Sequence, residues 1–207
     1  MRPALLAFAL LMTPGPMAAD EPGRFDYYVM ALSWSPTWCA TQGDANDPQC
    51  RRPLSFVLHG LWPQHENGWP ADCRTAARDP SRRESAAMAD IMGSAGLAWY
   101  QWKKHGRCSG LSGPDYYRLA REAYGRIRIP EVFRRLDRDV KLPARVVEEA
   151  FAEANPGLTP AMMTVTCAHG RIDELRICLT KDLSPRACGA DVARDCRMGD
   201  ALMEAVE

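Results

Sequence analysis

The sequence predicts an α+β fold in which helices from the middle of the chain pack on a central antiparallel sheet. Two observations lead to this prediction. β-prone runs lie at residues 25–34, 54–59 and 164–179, towards the two ends of the chain, whereas helical patterns fill residues 81–154. The 207 residues, 46% of them hydrophobic, show no composition shift that would mark a second domain. We therefore expect one folded unit that both ends of the chain help to build.

The beginning of the chain has the layout of a secretory signal peptide. Arg2 precedes an apolar run over residues 5–12, and a Pro-Gly-Pro break leads to the small residues at 18–19. The run is far shorter than the ~20 residues that cross a bilayer, so we expect no membrane anchor. We predict a signal peptide over residues 1–19, a single domain over residues 20–207, and export to the periplasm or the extracellular space.

Cysteine usage agrees with export. All eight cysteines follow the predicted cleavage site, and an even number of cysteines in an exported chain indicates disulfides. Their spacing matches neither a zinc ribbon nor a redox Cys-x-x-Cys motif, and residue spacing alone leaves the pairing open. The eight positions are Cys39, Cys50, Cys73, Cys108, Cys167, Cys178, Cys188 and Cys196.

The charges balance, with 26 basic and 26 acidic residues. The chain therefore has no overall basic field that would hold a polyanion. If the partner is a nucleic acid, we expect it to be bound by local contacts.

The first two strands come from aromatic and apolar runs. Residues 25–34 are β-prone and predict a central strand that Pro36 ends. A polar loop over residues 40–53 leads to the second strand, residues 54–59, which ends in His59. We expect Gly60 to turn the backbone sharply there, so that the imidazole lies where the sheet opens to solvent. Residues 64–80 then form a long loop beside this histidine.

The middle of the chain predicts helices with recognisable ends. Ser81 and Glu84 have capping-box spacing and begin a short helix that Gly93 ends. Its inward side chains are expected to be Ala86, Ala87, Met88, Ile91 and Met92. Proline and serine positions predict three further helices over residues 112–127, 130–136 and 143–154.

The helix predicted over residues 97–105 carries a second histidine. Gln101 and His105 are four residues apart, so the two side chains project to the same side of the helix, and Lys104 adjoins the histidine. Beyond the helices, residues 164–167 and 172–179 predict a β-hairpin with His169 at its tip. Residues 180–196 are irregular, and we expect the cysteines to hold them.

The two histidine segments together suit phosphodiester chemistry. Cleavage of RNA by internal attack needs a base for the ribose 2′-OH proton and an acid for the leaving 5′-oxygen. Two histidines with an ordinary pKa of ~6.5 can supply both, and a lysine can stabilise the charge that develops on the phosphoryl oxygens. No metal or other cofactor is needed, and DNA, which lacks the 2′-OH, would not be cut.

The same segments carry a family resemblance. Phe-Val-Leu-His-Gly-Leu-Trp-Pro at residues 56–63 and Trp-Lys-Lys-His-Gly-Arg-Cys at residues 102–108 are similar to the two active-site motifs of the ribonuclease T2 family. The resemblance implies an endoribonuclease that cuts single-stranded RNA through a 2′,3′-cyclic phosphate with little base specificity. It implies proton transfer by His59 and His105, with His105 as the base and His59 as the acid, and it makes Lys104 the catalytic cation.

The resemblance extends to substrate binding and to the disulfides. Trp62 resembles the aromatic residue on which a base stacks; the alternative is a tryptophan of the core. The implied disulfide pairs are Cys73 with Cys108, Cys167 with Cys196, Cys178 with Cys188, and Cys39 with Cys50.

Three positions depart from the family pattern. The second motif usually begins His-Glu-Trp, whereas this chain has Tyr100 and Gln101 before Trp102. A phosphate-binding histidine and a catalytic carboxylate are thus replaced by groups that donate hydrogen bonds but carry no charge. Gln64 occupies a position that is usually acidic, which leaves the base preference open.

Two other functions compete with the enzyme. A catalytically weak or silent exported protein could bind RNA on the same scaffold, as the changes at Tyr100 and Gln101 would allow. A metal site made of His59, His65 and His105 has no recognisable ligand spacing. We expect a monomeric, metal-independent ribonuclease.

Overall fold

The computed structural model describes residues 20–44 and 46–206, and its six strands form one sheet. The order is β2-β1-β5-β6-β3, and β4 pairs with β5. All pairings are antiparallel except that of β5 with β6, which is parallel. The strands are β1 Tyr27–Trp34, β2 Phe56–Gln64, β3 Val140–Leu142, β4 Met163–Ala168, β5 Arg171–Leu179 and β6 Ala201–Met203.

Seven α-helices are found in the described part of the chain, most of them between β2 and β4. They are α1 Ser35–Thr41, α2 Arg82–Ala87, α3 Ala89–Met92, α4 Ala95–Lys104, α5 Gly113–Arg126, α6 Glu131–Arg134 and α7 Ala144–Ala154. This confirms the α+β prediction. As expected, β1 lies inside the sheet, between β2 and β5. The predicted signal peptide, residues 1–19, lies outside the described residues.

Several helix ends follow from the sequence. Ser81 caps α2 in a reciprocal capping box with Glu84, as its spacing predicts. The burial prediction for this segment was partly wrong, because Ala86 and Ala87 are exposed and Ser85 is buried. The reason is that the buried face follows Ser85, Met88 and Met92 at spacings of three and four, and Ala86 and Ala87 lie off that face.

The prediction of a sharp turn at Gly60 was wrong, because β2 continues through this residue to Gln64. The register between β1 and β2 shifts between Ala31 and Leu32, which face Gly60 and Leu58. His59 is therefore the extra residue of a β-bulge, a feature that redirects a side chain without ending the strand. Glycine is needed at position 60 for space: a Cβ there would lie 2.3 Å from Trp62 Nε1 and 2.6 Å from Gln101 Oε1.

The core lies between the sheet and the helices. An aromatic cluster anchors it, with ring centroids 4.9–5.9 Å apart between Trp34 and Phe56, Phe56 and Phe133, Phe56 and Phe151, and Phe133 and Phe151. Every cysteine is paired: Cys39–Cys50, Cys73–Cys108, Cys167–Cys196 and Cys178–Cys188. These are the pairs that the family resemblance implies. Among residues 20–44 and 46–206, no helix is long and apolar enough to cross a membrane.

Candidate active site

His59 projects from the bulge of β2 and is held by a buried carboxylate. Its Nδ1 donates a hydrogen bond to Glu174 Oε1 on β5. Glu174 is only 5% exposed. Burial alone would raise the pKa of Glu174, but the hydrogen bond from His59 and the charges of His59 and Arg176 lower it to about 2. The carboxylate is thus ionised, which keeps a proton on Nδ1 of His59 and leaves Nε2 outside this hydrogen bond.

The environment of His105 differs from that of His59, because its ring is buried and no carboxylate in the described part of the chain is bound to it. It follows the last residue of α4, where its backbone N–H donates to Gln101 O, and its side chain is buried. Nδ1 of His105 has no hydrogen-bond partner among the described residues. Burial, followed by the charges of Lys104 and His59, lowers the pKa of His105 to about 3. The ring is therefore neutral over most of the acidic range, as a general base must be.

Trp62 lies between the two histidines. Its ring centroid is 5.3 Å from that of His59 and 5.2 Å from that of His105. The indole N–H donates to Gln101 Oε1 over 2.7 Å, and Gln101 is only 1% exposed. Gln101 therefore holds Trp62 in place with its carbonyl oxygen. Trp62 is half-buried: it lines a cleft and also packs against a small hydrophobic cluster that includes Tyr27 and Val29.

These side chains line one cleft of about 360 Å³. Its described lining residues are Val29, His59, Trp62, Gln64, Trp69, Tyr100, Gln101, Lys104, His105, Arg176, Asp191 and Val192. The cleft thus brings together all seven residues that the sequence predicts for catalysis and substrate binding. Lys104 Nζ donates to the Tyr100 hydroxyl over 3.2 Å, so both groups lie at the same wall.

Backbone and disulfide contacts fix the helix end that carries His105. Asp72 N donates to Lys104 O over 2.8 Å, and the neighbouring Cys73 is bonded to Cys108. The loop that follows β2 is thereby tied to the segment of the second histidine. This loop also supplies Trp69, whose exposed indole lines the cleft.

Gln64 is buried and bound to an acidic residue that the sequence did not single out. Gln64 Nε2 donates to Asp191 Oδ2 over 3.1 Å, and Gly68 N donates to the same oxygen over 2.8 Å. The loop that carries Asp191 follows the Cys178–Cys188 disulfide. Gln64 therefore faces the cleft with its amide nitrogen already engaged.

Four residues of the site were missed at the sequence level: Trp69, Glu174, Arg176 and Asp191. The only local signal was in β5, where Glu174 and Arg176 interrupt an apolar run with a spacing of two. Residues two apart in a strand share a face, so this pair indicated a charged group inside the sheet. The two loop residues, Trp69 and Asp191, had no such signal.

The other two histidines stand apart from this group. His65 is near Asp26, with Nδ1 3.7 Å from Oδ2. His169 lies at the tip of the β4–β5 hairpin, as predicted, with a positive φ of 51°. In the part of the chain that the structure describes, no group of three or more His, Cys, Asp or Glu side chains is placed to hold a metal ion.

Comparison with known proteins agrees with the motifs. A ribonuclease of Aeromonas hydrophila is 41% identical over 139 residues, which cover 62% of this chain and 63% of that protein. A probable ribonuclease of Haemophilus influenzae is 32% identical over 129 residues, or 55% of this chain and 47% of that protein. The chain thus spans less than two thirds of the length of these curated relatives.

The fold also matches solved structures. An RNase-related protein from Calystegia sepium has a TM-score of 0.70 at 19% identity, covering 88% of this chain and 98% of that one. Residues 25–188 match the Ribonuclease T2 family. This range includes both histidine motifs and the strand that supplies Glu174, so the sequence resemblance is confirmed and the chain belongs to the ribonuclease T2 family.

Proposed function

We propose that this protein is an endoribonuclease that cuts single-stranded RNA through a 2′,3′-cyclic phosphate, without a metal ion. The observation that supports it best is the contrast between the two histidines of one cleft. His105 is buried and neutral, whereas His59 is bound to an ionised carboxylate. An unprotonated base and a second histidine that a carboxylate holds in place are the two groups that the reaction needs.

In the first step, His105 takes the proton of the 2′-OH while the 2′-oxygen bonds to phosphorus. The bond from phosphorus to the 5′-oxygen breaks, and His59 protonates the departing 5′-oxygen from Nε2. Glu174 stabilises His59 before the transfer, and Lys104 stabilises the charge on the phosphoryl oxygens. The products are a 2′,3′-cyclic phosphate and a free 5′-OH.

In the second step the roles are reversed. Neutral His59 takes a proton from water, whose oxygen attacks phosphorus. The bond from phosphorus to the 2′-oxygen breaks, and protonated His105 returns its proton to that oxygen. The imidazolium form of His105 is short-lived because the ring is buried beside Lys104, which favours proton return.

The cleft suits a base that is held by stacking. Trp62 and Trp69 both line it, and base–aromatic stacking tolerates every base because each base has a π-face. We therefore propose little base specificity. We also infer that the protein is exported, because four disulfides are stable in an oxidising compartment.

A second candidate is a weak or silent RNA-binding protein on this fold. It is favoured by Tyr100 and Gln101, which place no charge at two positions where the family pattern has a histidine and a carboxylate. The intact set of His59, Lys104 and His105 around one cleft supports the enzyme more strongly.

The deciding experiment is incubation with single-stranded RNA in the presence of a chelator, with analysis of the product ends. Wild-type protein is expected to yield 2′,3′-cyclic phosphates. His59→Ala and His105→Ala should each lose roughly 10²- to 10⁴-fold in rate, the usual contribution of a general acid or base. His169→Asn is the matched control, since it removes a histidine outside the cleft and asparagine tolerates its positive φ. Binding of RNA without cleavage would favour the silent alternative.

A further inference from the structure

The cleft carries a second permanent cation that neither active-site motif supplies. Among its described lining residues, Lys104 and Arg176 are the side chains with a permanent positive charge. They come from different elements, Lys104 from α4 and Arg176 from β5. Tyr100 lies beside Lys104 and carries no charge, whereas the family pattern has a phosphate-binding histidine at this position.

Arg176 is held beside His59 by the same carboxylate. Its Nε and Nη2 donate to Glu174 Oε2 over 2.9 and 2.8 Å, while His59 Nδ1 donates to the other oxygen, Oε1. The guanidinium also lies 5.4 Å from the ring centroid of Trp62, which separates the two histidines. Arg176 is therefore fixed next to the ring that protonates the leaving oxygen.

The guanidinium keeps donors for a ligand. Arginine has five N–H donors, and Glu174 accepts two of them. The two bonds to Glu174 use Nε and Nη2, so the N–H groups of Nη1 take no part in them, and the side chain is 33% exposed. A rigid, charged fork with unused N–H groups matches the oxygens of a phosphodiester.

We propose that Arg176 binds the scissile phosphate from the His59 side and supplies the charge that Tyr100 does not. This inference rests on the proposed ribonuclease function. Lys104 and Arg176 would then both bind the phosphoryl oxygens, and charge building up in the transition state would meet two cations. Glu174 acts as the positioning residue for both Arg176 and His59.

The test measures binding, so that it does not depend on turnover. Adenosine 2′-monophosphate and adenosine are titrated calorimetrically at pH 5 into wild-type protein and Arg176→Met. The variant should bind the nucleotide about ten-fold more weakly, the effect of losing a charge-assisted hydrogen bond, and should bind adenosine within about two-fold of wild type. Equal weakening of both ligands, or an unchanged nucleotide affinity, would overturn the proposal.

Arg171→Met is the matched control. Arg171 is on the same strand, has similar side-chain exposure and pairs with the carboxylate of Glu204, but it does not line the cleft. It should leave both affinities unchanged. If Arg176→Met does not fold, Arg176→Lys is used instead, because it keeps the charge beside Glu174 and removes the guanidinium fork. The affinity of this variant for the nucleotide should fall about three-fold, and its affinity for adenosine should be unchanged. If the nucleotide affinity does not fall selectively, the proposal is wrong.

A rescue separates phosphate binding from a structural role. Tyr100→His in the Arg176→Met background adds a cation only where the new imidazole is protonated. Nucleotide affinity should recover at pH 5 and not at pH 8, and absence of recovery at pH 5 would refute the assignment of both positions to one phosphate. RNA cleavage by the wild type is measured in parallel. A silent wild type with Arg176-dependent nucleotide binding would reject the ribonuclease and keep this site.

Discussion

Replacement of Glu148 by glutamine is expected to make the protein more stable at neutral and alkaline pH. Glu148 lies on α7 and is 6% exposed, and its Oε1 has no hydrogen-bond partner among the described residues. Burial, then a hydrogen bond shared with Asp195 and the negative charge of Asp195, raises the pKa of Glu148 to about 7. Asp195 itself accepts from Thr164 Oγ1 over 2.5 Å.

The size of the effect follows from the pKa shift. The unfolded chain has a Glu148 pKa of 4.5, so the folded value is higher by about 2.5 pH units, or about 3 kcal/mol. Because the folded state holds the proton more tightly, this contribution is fully present below pH 4.5 and is lost as the pH rises through 7. Glutamine keeps an N–H donor for Asp195 and cannot ionise.

The assay is the free energy of unfolding by denaturant, with disulfides intact, from pH 4 to pH 8.5. Wild type and Glu148→Gln should be similar near pH 4, and the variant should be more stable by about 2–3 kcal/mol near pH 8. Glu149→Gln is the matched control, because this neighbour on α7 is exposed and pairs only loosely with Arg145. If the two variants show the same pH dependence as the wild type, Glu148 is not the buried acid that the structure indicates.

Three further outcomes are expected at the cleft. Gly60→Ala should lower the unfolding free energy by about 1–3 kcal/mol and kcat/KM by at least ten-fold, because the new Cβ displaces Trp62 from Gln101. Gly125→Ala is the control, since a Cβ at this position of α5 meets open space. The acidic limb of kcat/KM should lie near pH 3, and Gln101→Glu should move it upward by roughly one pH unit, since a carboxylate about 6 Å from an imidazole favours the imidazolium. An unmoved limb would mean that Gln101 does not face His105. Loss of the Cys73–Cys108 disulfide by double alanine substitution should lower the unfolding free energy by about 2–4 kcal/mol and reduce kcat, and unchanged kinetics would show that the bridge does not set the geometry of the helix end.

Much of the site could be predicted because its parts are local. A histidine after an apolar, β-prone run and a lysine-histidine pair at a helix end are visible as short motifs, and capping residues such as Ser81 fix where helices begin. Glu174 could not be found in this way. It contacts His59 across 115 positions of sequence, and that contact exists only in the register that β1 sets between β2 and β5.

Gly60 shows why a correct residue can be given the wrong role. A glycine after an apolar run predicts a turn, and the sequence contains nothing that distinguishes a turn from a crowded bulge. The difference is set by Trp62 and Gln101, whose side chains fill the space where a Cβ would be. The short strands β3 and β6 were missed for a related reason: each has three residues, and they pair only with partners brought close by the finished fold.

Two titrating groups in different parts of the molecule act in the same direction. Burial keeps His105 neutral down to a pKa of about 3, so the proposed base is available throughout the acidic range. Burial keeps Glu148 protonated up to a pKa of about 7, so its contribution to stability is largest in the same range. The fold and the proposed reaction are therefore both favoured below neutral pH. At both positions burial favours the uncharged side chain: it disfavours the positive charge of His105 and the negative charge of Glu148.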